Sequence, residues 1–142
     1  MSLSISDALL KRIREHGRTA YPQECCGLLL GRVEDGGKVV VDLKPMENAH
    51  ENSRNNRYVI EPSHMLEAEK EARSRGMDIV GIYHSHPDHP ARPSEFDREH
   101  AFPWYSYIVV SVEQGEPKQL TSWTLKEDRS GFDSEVLTSS FG

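Results

Sequence analysis

Residues 81–97 read GIYHSHPDHPARPSEFD, and they carry the most information about the fold. An apolar segment that begins at Asp78 predicts a buried strand, which leads directly into His84 and His86. Side chains alternate across a strand, so residues at i and i+2 lie on the same face. We therefore expect the two imidazoles to point at one place, at the end of a strand over 78–84.

A third candidate ligand follows in the next predicted helix. A proline-rich loop over 87–93 separates the histidines from Ser94, which begins a short helix that contains Asp97. Neutral imidazole is the most common metal-binding side chain, and catalytic zinc sites use three protein ligands and keep a fourth position for water. Asp97 is a good third ligand. Ser94 and Asp97 also match a helix capping box, which needs no metal, so this spacing alone leaves both interpretations open.

A glutamate lies at the start of another apolar strand. Glu24 precedes the predicted strand over 26–33, CGLLLGRV. A carboxylate at the mouth of such a strand is unusual unless it faces a functional site; the alternative is a solvated strand edge. Because side chains alternate, Glu24 and Cys26 are expected to share one face.

Together these residues resemble the JAMM, or MPN-plus, family of zinc metalloproteases (Mov34/JAB), and in particular its short bacterial members. The family pattern is a distant Glu, then His-Ser/Thr-His, seven residues, Ser, two residues and Asp. The pattern is complete here, in Glu24, His84, His86, Ser94 and Asp97. The resemblance extends over roughly residues 5–125.

The resemblance implies a site and a fold. One Zn²⁺ per chain would be held by His84, His86 and Asp97. Glu24 would be the general base that takes a proton from water, and Ser94 would donate a hydrogen bond to the oxyanion of the tetrahedral intermediate. The implied fold is α/β in the broad sense (α+β): a curved mixed β-sheet flanked by helices, similar to the cytidine deaminases, as in a JAB/MPN domain.

The resemblance also implies a substrate class. Family members cleave peptide or isopeptide bonds after ubiquitin or ubiquitin-like tails, and the short bacterial members act on ubiquitin-like sulfur carrier proteins. The connections over 44–57 and 84–95 leave little room for the insertions with which eukaryotic deubiquitinases hold two ubiquitins. We therefore expect hydrolysis of a peptide or amide bond after the Gly-Gly tail of a sulfur carrier. A deubiquitinase-like isopeptidase and a non-catalytic MPN scaffold are the alternatives.

Two further metal-dependent hydrolase classes share parts of the pattern. Residues 84–89 match the His-x-His-x-Asp-His motif of the metallo-β-lactamase superfamily, but that fold needs two stacked sheets and more downstream ligands, and His100 is the only later histidine. Zinc deaminases need a Pro-Cys-x-x-Cys signature, whereas Cys25 and Cys26 are adjacent.

Composition narrows the remaining possibilities. A chain of 142 residues predicts a single domain over 1–142, and a net charge of −6 argues against nucleic acid as a partner. No apolar run is long enough to span a membrane, and the N-terminal residues do not resemble a secretory signal. Adjacent Cys25 and Cys26 do not suit a mutual disulfide, so we expect a cytoplasmic protein. A homo-oligomer stays possible.

The hydrophobic pattern predicts helices interleaved with strands, which is typical of a mixed α/β or α+β domain. Ser4 or Ser6 is expected to cap a first helix that runs to about Ala20 and uses Ile5 on its apolar face. The other predicted elements are strands over 26–33 and 38–43 joined by a turn, a loop over 44–57, a short strand over 58–60, a helix over 62–76, and strands over 107–112, 119–125 and 132–137.

Overall fold

The computed structural model describes residues 2–50, 54 and 56–140. The described elements, in chain order, are β1 (Ser2–Ser6), α1 (Asp7–Ala20), β2 (Cys26–Glu34), β3 (Gly37–Met46), α2 (Pro62–Ser74), β4 (Asp78–Pro87), α3 (Glu95–His100), β5 (Ser106–Glu113), β6 (Glu116–Leu125) and β7 (Phe132–Ser140). None of these helices is both long and apolar enough to cross a bilayer.

The strands form one closed sheet in the order β1-β3-β2-β4-β5-β6-β7. β4 and β5 are parallel, β1 is parallel to both of its neighbours, and the other pairs are antiparallel. The predicted mixed sheet with flanking helices is therefore confirmed. Closure was not anticipated, because it depends on β1, which joins β3 to β7.

The N-terminal residues differ from the prediction at one point. Ser6, not Ser4, caps α1, since its hydroxyl accepts the Leu9 N–H at 3.2 Å. Ile5 belongs to β1 instead of the helix face. The strand Ser2–Ser6 is short and three of its five residues are serine, so its strand character comes from pairing with distant segments and not from local propensity. The helix then buries Leu10, Ile13 and Gly17 against the sheet.

Two hydrophobic cores cover the two faces of the sheet. The core on the α1 face includes Leu29, Val80, Tyr83 and Ile108. The core on the α2 face includes Leu28, Ile82, Ala68, Ala72 and Tyr107. Each fully buried large aliphatic side chain stabilises the folded state by about 1.5–3 kcal/mol relative to an exposed one. Because both faces of β4 are covered, its residues 79–83 are apolar without alternation, as is typical of a central strand.

Several predicted boundaries move where the site is built. β4 continues to Pro87, so His86 also lies within the strand and His84 is not its last residue. β3 extends to Met46, and in the predicted loop over 44–57 residues 51–53 and 55 lie outside the described residues. The predicted strand over 58–60 is wrong. Val59 bonds instead to the nearby loop: its N–H donates to Asn48 Oδ1, and its carbonyl accepts the Ala49 N–H.

Candidate active site

Two histidines of β4 meet on the α2 face of the sheet. His84 is 0% exposed and His86 is 5% exposed, and their Nε2 atoms lie 3.2 Å apart. Tyr83, which precedes the two histidines, and Ser85, which lies between them, point to the opposite face, where Tyr83 joins the α1-side core. The i, i+2 spacing therefore brings the two imidazoles together as the sequence predicted.

Asp97 completes a compact set of three donor atoms. Its Oδ2 lies 3.1 Å from Nε2 of His84 and 3.1 Å from Nε2 of His86. The helix cap holds this carboxylate in place, since the Ser94 N–H donates to Asp97 Oδ2 at 2.8 Å and the Asp97 N–H donates to Ser94 Oγ at 3.1 Å. The capping box is thus present, and it holds the carboxylate beside the two imidazoles.

Pairing of β2 with β4 places Glu24 above this set. Cys26 is the partner of His84 across the antiparallel ladder, and the Ser85 N–H donates to the Cys25 carbonyl at 3.1 Å. Continuing the register of the Cys26–His84 pair by two residues puts Glu24 opposite His86. Glu24 is 3% exposed, and among the described residues its Oε1 has no hydrogen-bond partner.

Burial and charge move the two carboxyl groups in opposite directions. Burial raises the pKa of Glu24 to about 8; His86 opposes this rise, and the Asp97 carboxylate adds to it. Burial also disfavours the Asp97 carboxylate, but His84, His86 and the Ser94 N–H outweigh it and hold the pKa of Asp97 well below its usual range. Asp97 is therefore the charged acceptor of the pair.

The donor set fits a metal ion such as zinc. A tetrahedral zinc with metal–nitrogen distances of 2.0–2.1 Å separates its ligand atoms by about 3.3 Å. The three atoms of His84, His86 and Asp97 are separated by 3.1–3.2 Å. Ligand atoms of Glu24, His84 and His86 also lie within 4.8 Å of one another, so Glu24 is near the same point. Asp97 makes the tighter triad, and Glu24 lies beside it.

A polar cleft of about 580 Å³ opens onto the site. Glu24, His86 and Ser94 line it together with Arg57 and Arg92. Ser94, which is exposed, thus faces the same cleft as the buried Glu24 carboxyl group. Sequence reasoning missed Arg57, whose guanidinium lies 4.8 Å from the Phe96 ring centroid. A lone arginine in a polar loop gives no signal of such a position.

Asp88 and His89, the other two residues of the metallo-β-lactamase pattern, face different surroundings. The Asp88 carboxylate accepts hydrogen bonds from the Tyr21 hydroxyl at 2.6 Å and the Gln114 N–H at 2.8 Å, on the exposed side of the loop. His89 lines the polar cleft. Asp88 is therefore occupied elsewhere, which removes the central ligand of the metallo-β-lactamase pattern.

Comparison with known proteins assigns the chain to a family. A family model described as prokaryotic homologs of the JAB domain matches residues 6–126. The match contains all five candidate residues. The chain belongs to the prokaryotic JAB family. The resemblance to short bacterial JAMM proteins, drawn from the motif, is thereby confirmed.

Relatives of this prokaryotic JAB protein are similar over most of their length. A desampylase of Haloferax volcanii is 34% identical over 106 residues, which cover 74% of this chain and 74% of the relative. A probable TtuB-protein conjugate cleaving protease of Thermus thermophilus is 32% identical over 78% of this chain and 71% of the relative. The solution structure of a Desulfitobacterium hafniense protein has a TM-score of 0.86 and 32% identity, covering 99% of this chain and 94% of that one.

Ser85 ties the glutamate-bearing segment to the histidine strand, and this tie can be measured. Its hydroxyl accepts the buried Cys25 N–H at 2.8 Å. Ser85→Ala leaves that N–H without an acceptor, so we expect the free energy of unfolding to fall by about 1–3 kcal/mol in urea titrations. Ser134→Ala, at an exposed position of β7, is the control. Equal unfolding midpoints for the two variants would show that the Ser85 bond contributes nothing.

Proposed function

We propose that this prokaryotic JAB protein is a zinc metallopeptidase of the JAMM type, which cleaves the peptide or amide bond after the Gly-Gly tail of a ubiquitin-like sulfur carrier protein. One observation carries the proposal. His84, His86 and Asp97 bring three donor atoms within 3.1–3.2 Å of one another, directly beside a buried Glu24 oxygen that has no partner among the described residues.

In this proposal His84, His86 and Asp97 hold one Zn²⁺ per chain. Two neutral imidazoles and one carboxylate leave the site less positive than three histidines would. When bound, the ion supplies Lewis acidity that polarises a carbonyl and makes water easier to deprotonate. The low pKa of Asp97 keeps its carboxylate ionised and ready to act as a ligand.

Glu24 is the proposed general base. Its Oε1 is buried and has no hydrogen-bond partner among the described residues, so it would accept a proton from a water molecule beside the triad. A base works best when its pKa is near the working pH, and burial moves the pKa of Glu24 in that direction. The protonated carboxyl group can then return the proton to the departing amine.

Ser94 is the proposed donor to the oxyanion. Its oxygen accepts the Asp97 N–H as helix cap, and this leaves the hydroxyl hydrogen free to donate into the cleft. A donor fixed by a helix cap needs little reorganisation when negative charge develops on the substrate oxygen. The same side chain therefore caps α3 and serves the reaction.

The substrate class follows from the relatives and the cleft. One relative is named for cleaving TtuB–protein conjugates and another is named a desampylase, which supports a protein conjugate over a small amide. Pro90 and Pro93 form one wall of the cleft, and their rings limit its freedom. A Gly-Gly tail suits such a cleft because it lacks Cβ atoms that would keep its backbone from the site.

The alternatives are weaker on specific grounds. A non-catalytic scaffold has no need of a converged set of ligands, yet all of them are present. A deubiquitinase would need surfaces for a second ubiquitin, whereas only a short loop joins β4 to α3. We also propose that residues 1–142 act as one domain, and that the protein works in the cytoplasm, where the free thiols of Cys25 and Cys26 would stay reduced.

Two isosteric substitutions separate metal binding from catalysis. Asp97→Asn keeps the shape of the helix cap but removes the charge, so we expect loss of zinc in metal analysis of the dialysed protein. Glu24→Gln should keep one zinc per chain but lower kcat by about 10²–10⁴-fold, since an amide cannot take the proton. If Glu24→Gln lost zinc while Asp97→Asn kept it, Glu24 would be the third ligand.

A glycine substitution separates the two roles of Ser94. Glycine is tolerated at a helix N-cap at a cost of a few tenths of a kcal/mol, so Ser94→Gly should stay folded and keep its zinc. Without the hydroxyl donor we expect kcat to fall by about 10²–10³-fold with little change in KM. Ser94→Thr, which keeps the hydroxyl, is the control. Unchanged kcat in Ser94→Gly would remove Ser94 from the reaction.

A panel of carrier proteins tests the substrate. We expect mass spectrometry to show loss of a C-terminal extension placed after Gly-Gly, but no loss when Ala-Ala replaces the two glycines. Chelators should abolish the reaction, and thiol-blocking reagents should leave it intact because Cys25 and Cys26 are buried. Efficient cleavage of ubiquitin chains with all carriers intact would favour the deubiquitinase, and no cleavage at all the scaffold.

A further inference from the structure

The two histidines of the site differ in how their second ring nitrogen is held. Nδ1 of His86 donates to the Pro90 carbonyl at 2.9 Å. Nδ1 of His84 is buried and has no hydrogen-bond partner among the described residues. A metal-ligating histidine almost always uses its second nitrogen in a hydrogen bond, which fixes the ring orientation. His84 needs another means of orientation.

A tyrosine ring covers the unsupported histidine. Tyr58 stacks on His84 with ring centroids 4.6 Å apart and an angle of 26° between the planes. The contact is close to parallel, whereas the two histidine rings are tilted by 58° to each other. A near-parallel ring restricts rotation of the imidazole about its χ2 bond, because turning would drive its edge into the stacked face.

Tyr58 is itself held firmly although it lies outside the sheet. The next residue, Val59, is fixed on both sides of its peptide, as its N–H donates to Asn48 Oδ1 at 3.1 Å and its carbonyl accepts the Ala49 N–H at 2.8 Å. Asn48 also donates to the Glu24 carbonyl at 3.2 Å. The loop that carries the ring is therefore tied to the segment that carries the candidate base.

The same ring separates His84 from an apolar cavity. Tyr58, Ile60, Met65 and Phe102 line this cavity, which has a volume of about 520 Å³ and also reaches Asp97. His84 is nonetheless 0% exposed. A smaller side chain at position 58 would expose the histidine to the cavity and remove the surface that fixes the orientation of its ring.

We propose that Tyr58 is a positioning residue for His84, whose imidazole plane is held by ring stacking in place of a hydrogen bond at Nδ1. The inference rests on the proposed metal site, because its consequence is the orientation of Nε2 toward the other two donor atoms. The planar ring, and not the hydroxyl, performs this role. Tyr58→Phe should therefore keep the orientation of His84, whereas a non-planar apolar side chain at position 58 should lose it.

The test measures metal binding and not turnover. Metal-free wild type, Tyr58→Phe and Tyr58→Leu are titrated with Zn²⁺ against a coloured competing chelator, and the visible absorption of the Co²⁺-loaded proteins reports the ligand geometry. We expect Tyr58→Leu to bind Zn²⁺ about 10–100-fold more weakly, as for loss of an orienting partner, with an altered Co²⁺ spectrum. Tyr58→Phe should bind within a few-fold of wild type and keep its spectrum.

Controls separate this role from general packing. Met65→Ala removes a side chain from the same cavity but leaves the stacked ring in place, so its zinc affinity should match wild type. Circular dichroism confirms folding before each titration, and Tyr58→Met provides a second non-planar variant if Tyr58→Leu does not fold. Wild-type affinity and spectrum in the non-planar variant would overturn the proposal, as would equal losses in Tyr58→Phe and Tyr58→Leu. If wild type itself bound no zinc, the proposed function would fail instead.

Discussion

The antiparallel register between β2 and β4 is the constraint on which the site depends. Cys26 pairs with His84, and because side chains alternate with a period of two, this single pairing puts Glu24 on the same face as both histidines. A slip of one residue would turn Glu24 toward the α1-side core. Ser85 protects the register, since its backbone and its hydroxyl both bond to Cys25. The serine between the two histidines is thus part of the framework that aligns them.

Local spacing made part of this site predictable. Two histidines at i, i+2 and the Ser94–Asp97 pair at i, i+3 express their geometry within one strand and one helical turn, so their positions follow from the elements themselves. The closure by β1 and the stacking of Tyr58 depend on contacts between distant segments. A serine-rich strand and a tyrosine in an irregular loop carry no local pattern, and for this reason the sequence predicted a helix face at Ile5 and a strand at Tyr58.

The buried carboxyl groups of Glu24 and Asp97, which both lie near the two histidines, acquire different pKa values because their neighbours differ. Asp97 has two imidazoles and a backbone N–H as partners, and these hold its pKa low despite burial. Glu24 has no hydrogen bond at Oε1 among the described residues, so burial dominates and raises its pKa to about 8. Opposite shifts in the pKa values of two neighbouring carboxyl groups are typical of sites in which one carboxylate acts as a ligand and the other as a base. The fold produces this difference because the helix cap donates a hydrogen bond to Asp97, whereas Oε1 of Glu24 receives none from the described residues.

The capping box has a consequence for the cohesion of the whole cleft. α3 has six residues, too few to persist as an isolated helix, and its cap shares the Asp97 carboxylate with the histidines. Opening of the first turn of α3 would therefore move the Asp97 carboxylate away from both imidazoles. Phe96, on the same turn, is common to the walls of both cavities. Local opening of α3 would therefore displace a donor atom of the triad and part of the wall of both cavities in the same event.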